Sequence, residues 1–256
     1  MNWLIKLIIN TVPRPQLILW SNFFRPLLDL YYRGNKFYDP INNKSYRKFL
    51  PYGYKNVRQN ALSPGTLSLE RHRLLWLYLK NKTEFFNAKI KVLHIAPEQA
   101  FYKIFKSIKN ENYITFDLNS PLVDIKGDIC KMPFEDNFFD FILCNHVLEH
   151  IDDDKKAMQE LYRVLNKNGT AILQVPIDLN INRTFEDPGI KDKNERIKKF
   201  GQYDHVRMYG LDYFDRLKKV GFHVEKNNYA NEFKDEEIKK YCIVKNEIIP
   251  ICKKLV

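Results

Sequence analysis

The sequence predicts an α/β protein organised on a mostly parallel sheet with both faces covered. Short unbroken apolar runs, rich in β-branched and aromatic residues, stand at Lys91–Ile95, Tyr113–Phe116, Val123–Ile125 and Phe138–Cys144. Runs of that kind, rather than alternating ones, mark strands buried on both faces. Helical patterns lie between most of them, as crossovers between parallel strands require. Each run also delivers a polar residue just past its C-terminal edge: Glu98, Asp117, Asp128 and Asn145. Ligands of open parallel sheets sit beyond the carboxyl ends of the strands. Two aspartates after successive strands suit a nucleoside, one for the ribose hydroxyls and one for an exocyclic amine. A nucleoside-cofactor site is the expectation.

The 256 residues allow one sizeable core and a smaller appendage. With 45% hydrophobic residues, the composition is that of a soluble globular protein. Cys130, Cys144, Cys242 and Cys252 are scattered, and no pair has CxxC spacing. Buried free thiols in a reducing, cytoplasmic compartment are expected, not a disulfide framework. Residues 1–90 hold 15 Lys and Arg against 4 Asp and Glu, and the remainder holds 27 of each sign. The whole net charge of +11 therefore precedes the cofactor region. That asymmetry favours an anionic partner for the N-terminal part: a membrane surface, an acidic glycan or a nucleic acid. Solvated surface lysines are the plainer alternative.

Residues 1–35 read as an amphipathic aromatic segment. Trp3-Leu4-Ile5 and Leu7-Ile8-Ile9 flank one lysine, Pro13-Arg14-Pro15 breaks the segment, and Leu17–Trp20 and Phe23-Phe24 follow, with Arg25 and Pro26 after them. Neither stretch reaches the roughly 18–20 apolar residues of a spanning helix. There is no basic start and no small-residue cleavage site, so a secretory signal is not expected. Peripheral binding at the inner face of a membrane and a pair of helices packed on the rest fit this pattern equally. Residues 36–90 begin as loops and short strands punctuated by Pro40, Pro51, Gly53, Pro64 and Gly65. A helix then spans Ser68–Asn81, capped by Ser68 or Thr66. Leu74, Leu75, Leu77, Tyr78 and Leu79 form its apolar face, and Arg71 and Arg73 a basic one. Residues 91–256 carry the α/β pattern: a strand at 91–95, a helix near 98–109, and strands at 113–116 and 123–127. Only eleven residues lead from Asp117 to Asp128, with Pro121 among them, so one crossover is reduced to a loop. A strand at 138–144 follows. A helix from Asp153 to Leu165 is expected to stop at Asn168-Gly169, before a strand at 170–175. The polar stretch 177–207 lacks strong periodicity and is a candidate lid or substrate loop. A helix at 211–220 ends at Gly221, and strands at 222–226 and 248–252 complete the chain.

Over about residues 90–254 this pattern resembles the class I S-adenosylmethionine-dependent methyltransferases. The most specific element is FEDNFFDFILCNHVLEHIDDDKKAMQELYRVLNKNGTAILQVP, residues 134–176. It is close to the family's FDxIxxxxVLEHI, helix and LxPGG arrangement, with Asn166-Lys167-Asn168-Gly169 at the LxPGG turn. The resemblance implies a Rossmann-like sheet of seven strands, the last antiparallel, with S-adenosylmethionine as cofactor. The family's GxGxG is replaced by His94-Ile95-Ala96-Pro97-Glu98-Gln99-Ala100. That variant resembles a subgroup with an LHIAPE-type motif, often linked to surface-polysaccharide genes. By position, the resemblance gives the cofactor to His94, Ala96, Pro97, Glu98, Asp117, Leu118, Asp128, Ile129, Cys130, Asn145 and His146. Asp117 takes the ribose hydroxyls and Asp128 the adenine amine, with Ile129 and Cys130 beside the ring. Glu98 meets the methionine ammonium, and Asn145 and His146 lie near the methyl group. Relatives in the subgroup also carry a zinc ribbon followed by SLERHRLLW. Here Asp39, Asn42, Ser63 and Thr66 stand at its four cysteine positions. No metal is expected, only a ribbon-like pair of loops held by packing.

Methyl transfer from a sulfonium rests on positioning, and an oxygen acceptor also benefits from a base. His205, His146 and His150 are the candidates. His205, with Asp204 and Arg207, lies in FGQYDHVRMYG, residues 200–210. The expected acceptor is a small molecule, a sugar or glycan, or a lipid-linked intermediate, with an anionic membrane surface as a candidate partner. A nucleic-acid acceptor is less favoured, because the Asn145–Leu148 region lacks an NPPY-type motif. A non-catalytic module with a decayed cofactor site is the third reading.

Overall fold

A computed structural model of the protein describes residues 14–53 and 57–255. The chain divides into two compact units. One comprises the residues up to Leu77 together with Phe233–Val244, the other Tyr78–Glu232 together with Lys245–Val256. The second is built on a seven-stranded sheet whose strands lie in the order His223–Asn227 (β12), Ile249–Lys253 (β13), Leu165–Ile172 (β9), Phe139–Cys144 (β8), Val92–Ile95 (β5), Tyr113–Asp117 (β6) and Ile125–Lys126 (β7). β5, β6, β7, β8 and β9 pair in parallel, whereas β13 runs antiparallel to both β12 and β9. This is the mostly parallel α/β sheet with an antiparallel last strand that the sequence predicts.

The apolar runs become strands because both faces of the sheet are covered. Every residue of β5 is buried. One face packs into a core with Ile142, Leu161, Val164, Phe214 and Leu217. His94 of β5 instead meets Phe105 and Tyr113, and Phe85 lies against both Phe105 and Phe141. Asp117 to Ile125 is crossed by turns without a helix, as the short spacing requires.

Four elements differ from expectation. The helix Tyr102–Lys109 begins later than 98. The helix Asp154–Val164 ends four residues before Asn168-Gly169, and Leu165 is already extended. The Asn166–Gly169 turn is a bulge inside β9, where the pairing jumps from Phe139–Leu165 to Phe141–Thr170. A Cβ on Gly169 would stand 2.8 Å from the Asn166 carbonyl oxygen, so the bulge selects glycine. Stretch 177–207 is not featureless: it holds the helix Lys193–Phe200, and Phe185–Glu186 pairs with Arg207–Met208. Asp192 caps that helix by accepting from the Glu195 amide at 2.9 Å.

The first unit contains a helix at Arg14–Tyr31, two antiparallel hairpins (Arg33–Asp39 with Lys44–Tyr46, Leu50–Tyr52 with Arg58–Leu62) and the helix Asp235–Tyr241. The loops that follow Asp39 and Leu62 are held by hydrogen bonds as well as packing. Asp39 is fully buried and accepts from the Thr66 hydroxyl at 2.5 Å, the Ser68 hydroxyl at 3.3 Å and the Ile41 amide at 2.9 Å. The basic face expected at Arg71 and Arg73 is corrected for Arg73. Its side chain is fully buried and donates to the carbonyls of Ser68, Ala61, Tyr241 and Cys242 at 2.6–3.0 Å. A buried guanidinium is tolerable because its donors are saturated. The apolar stretch Trp3–Ile9 lies outside the described residues. No helix among the described residues is long and apolar enough to cross a membrane.

Candidate active site

The chain order of the sheet reverses between β5 and β8: β6 and β7 extend from one side of β5, β8 and β9 from the other. Beyond their carboxyl ends lies the crevice where open α/β sheets bind ligands. Two residues that bound this point adopt backbones ordinarily left to glycine. Ala96, after β5, has φ +45°, and His146, after β8, has φ +56°. Each strained turn is tied down by its amide, Ala96 to the Phe116 carbonyl at 2.8 Å and His146 to the Gln174 carbonyl at 2.7 Å. A non-glycine residue in this region costs about 1–2 kcal/mol and persists where the surroundings over-determine it.

Glu98 and Asn145 meet across the switch point, the Asn145 amide donating to Glu98 Oε1 at 3.1 Å. His94 donates from Nε2 to Glu98 Oε2 at 2.5 Å and accepts from the Tyr113 hydroxyl at 2.7 Å. Burial pushes the Tyr113 phenol up, so it remains a donor. His94 is fully buried with both ring nitrogens engaged. Held between Tyr113 and Glu98, it fixes the position of the Glu98 carboxylate. Asn145 is 4% exposed, and its Oδ1 accepts no hydrogen bond among the described residues. Gln174, past β9, leaves its buried Nε2 in the same condition. Unpaired buried polar atoms are rare in folded proteins. Here they stand at the strand ends beside a carboxylate, an arrangement suited to the ammonium and carboxylate of an amino acid.

Asp117 and Asp128 stand past β6 and β7 as expected. Asp117 accepts the amides of Asn119 and Ser120 at 2.8 and 2.6 Å through Oδ1 alone. Asp128 accepts the Cys130 amide at 2.8 Å, also through Oδ1. Each thus anchors its own turn through Oδ1. Leu118 is 61% exposed and Ile129 is buried, so apolar surface for a ring lies next to both aspartates in sequence. Pro97 and Cys130 are half-buried. Burial and the charge of Asp128 push the Cys130 thiol up to about 11, so it offers an apolar contact rather than a thiolate.

The three candidate histidines converge on a residue the sequence reading passed over, Glu149. His146 Nδ1 lies 3.2 Å from Glu149 Oε1. The rings of His150 and His205 are 4.8 Å apart and edge-on. Burial alone would raise the Glu149 carboxyl, but the nearby imidazoles of His146 and His150 outweigh it and hold it below its ordinary value. Burial lowers His205, which keeps the ring neutral at neutral pH. The signal was available: His146, Glu149 and His150 are spaced i, i+3, i+4 around the turn Leu148–His150. Arg207 is grouped with His205 in the sequence. It is buried and donates to the carbonyls of Leu148, Ile151 and Asp152 and to Glu186.

Residues 80–173 match the family described as "Methyltransferase domain". Among curated proteins, the chain is 27% identical over 116 residues to ajmaline N-methyltransferase of Rauvolfia serpentina, covering 44% of this chain and 36% of that one. It is 33% identical over 95 residues to sterol 4-C-methyltransferase strm-1 of Caenorhabditis elegans, covering 37% of this chain and 27% of that one. The chain thus spans only about a third of the length of these relatives. Among solved structures, the YcgJ protein of Bacillus subtilis is 18% identical with a TM-score of 0.45, covering 71% of this chain and 96% of that one. The 1,6-didemethyltoxoflavin-N1-methyltransferase of Burkholderia thailandensis, with bound 1,6-didemethyltoxoflavin and S-adenosylhomocysteine, is 11% identical with a TM-score of 0.49, covering 73% of this chain and 78% of that one.

Proposed function

We propose that this chain is an S-adenosylmethionine-dependent methyltransferase whose acceptor is a small molecule of the sugar or lipid-linked class. The observation that carries the reading is the pairing of Glu98 with Asn145 at the switch point, with Asn145 Oδ1 buried and unpaired. The residues present fit the cofactor: Glu98 and Asn145 Oδ1 for its ammonium, Asp117 Oδ2 for its ribose and Asp128 Oδ2 for its adenine amine. The cofactor, when bound, supplies an electrophilic methyl group on a sulfonium. The protein's contribution is mainly placement. The left-handed turns at Ala96 and His146 bring two strand ends together without glycine, and Glu98 is locked by His94 before any ligand arrives. For an oxygen acceptor, His146, His150 and His205 are the groups that can take the acceptor proton.

The finer reading, an acceptor met at a membrane surface, is supported by the helix Arg14–Tyr31. Trp20, Phe23, Phe24, Leu27, Leu30 and Tyr31 form one stripe at i, i+3, i+4 and i+7 spacing, and all six are 48–74% exposed. Arg33, Lys36, Arg47 and Lys48 in the same unit are exposed too. An apolar aromatic stripe accompanied by cations suits an anionic interface.

The test is transfer of tritiated methyl from S-adenosylmethionine to acceptor pools. The label is expected in butanol-extractable sugar-lipid material and not in RNA. The double variant Phe23→Glu, Leu27→Glu is expected to stop flotation with anionic liposomes while leaving S-adenosylhomocysteine binding intact. Label appearing in RNA alone would replace the acceptor class proposed here.

A further inference from the structure

Glu149 is 1% exposed, and neither carboxylate oxygen accepts a well-directed hydrogen bond among the described residues. A charge withdrawn from water without donors is costly, and a native fold that keeps one requires an explanation. Its surroundings consist of imidazoles. Glu149, His150 and His205 each offer one ligand atom, and these atoms lie within 4.8 Å of one another. The rings are also set in one tautomer. His150 Nδ1 faces the Asp204 carbonyl at 3.1 Å and His205 Nδ1 faces the Phe200 carbonyl at 3.0 Å. A carbonyl oxygen only accepts, so both Nδ1 atoms carry hydrogen, and Nε2 is the nitrogen of each ring left to face a ligand. Imidazoles that ligate metals are oriented in this way by a backbone carbonyl on the other nitrogen.

The two segments that carry these side chains are fastened together. The Val206 amide donates to the Glu149 carbonyl at 2.9 Å. Arg207 ties the same strand to the carbonyls of Leu148, Ile151 and Asp152. The donors are thus placed by the backbone and do not depend on an ion to gather them. An ion pair with His146 accounts for part of the charge on Glu149, but not for two further imidazoles with Nε2 left over.

We propose that Glu149, His150 and His205 bind one divalent transition-metal cation of the zinc or manganese type, with His146 at the edge of the site. Two imidazoles and one carboxylate suit these ions better than magnesium or calcium, which favour all-oxygen sets. No metal is expected from the sequence, on the loss of cysteine at Asp39, Asn42, Ser63 and Thr66; this site lies elsewhere and departs from that expectation. Three protein ligands leave open positions for an outside oxygen atom. The use of that opening, holding a hydroxyl or carboxylate of the acceptor, rests on the methyl-transfer reading; the binding itself does not.

The test uses the full chain after chelator treatment and dialysis. Calorimetric titration with zinc chloride, and separately with manganese chloride, is expected to give one cation per chain. Glu149→Gln and His205→Ala are each expected to weaken binding more than about 100-fold, beyond the 10–100-fold typical of supporting residues. Should either variant fail to fold, zinc soaked into crystals of the unaltered protein is expected to give an anomalous peak between Glu149, His150 and His205. Absence of a bound cation in both titrations, or unchanged affinity in both folded variants, or a peak elsewhere, would overturn the site. S-adenosylhomocysteine titrated into the same samples keeps the two proposals apart. Cofactor binding without a cation removes only the metal site, and a cation without cofactor binding removes only the methyltransferase reading.

Discussion

Two buried charges in this molecule are treated in opposite ways. Arg73, in the first unit, has no exposed surface and makes hydrogen bonds to four carbonyls and to the Ser68 hydroxyl. Glu149, in the second, is equally withdrawn, and among the described residues its carboxylate has only the His146 imidazole, 3.2 Å away, beside it. Asp39 resembles Arg73, with both oxygens occupied by Thr66, Ser68 and the Ile41 amide. Asn145 and Gln174 resemble Glu149, each with an unpaired buried atom. The difference separates architecture from function. On the reading proposed above, a buried polar group whose valences are filled from within the chain fixes the fold, and one left open beyond the strands is arranged for something that arrives later.

The sharpest way to break this comparison is Arg73→Met. It strips a donor from four carbonyls at once and is expected to cost about 3–5 kcal/mol in chemical denaturation, the range for breaking a buried charged network. Asp39→Ala should cost about 1–3 kcal/mol, since it leaves two hydroxyls and an amide to seek water. Glu149→Gln, measured without divalent cations, is expected to fall within about 1 kcal/mol of the unaltered protein, because the lost pairing with His146 is offset by the lost cost of burying the charge. A loss as large as that of Arg73→Met would make Glu149 part of the architecture. The smallest effect belongs to Ala96→Gly. Relief of the +45° φ is offset by the entropy of glycine, leaving a gain of about 0.5–1 kcal/mol.

The same division explains what the sequence made legible. The strands of the second unit could be read because continuous apolar runs have few other uses. Glu98, Asp117, Asp128 and Asn145 followed from the strand ends. The helix Lys193–Phe200 was hidden because its residues KNERIKKF offer only Phe200 to the core. The β9 bulge was hidden because Asn168-Gly169 has the composition of a helix stop. Arg73 looked like a solvated cation and His205 like a loop residue, because partners are set by folding and not by composition. The carboxylate of Glu149 lay inside a recognised motif, yet nothing in its neighbours along the chain reveals that its oxygens are unpaired.

The account depends most on the crevice between β5 and β8 accepting adenosine and an amino acid together. Calorimetric titration of the full chain with S-adenosylhomocysteine, alongside Asp117→Ala, tests this directly. One site per chain is expected, with roughly 10–100-fold weaker binding in Asp117→Ala, the value of a hydrogen bond from a ligand to a charged group. No heat with the unaltered protein, or equal affinity in the variant, would contradict it.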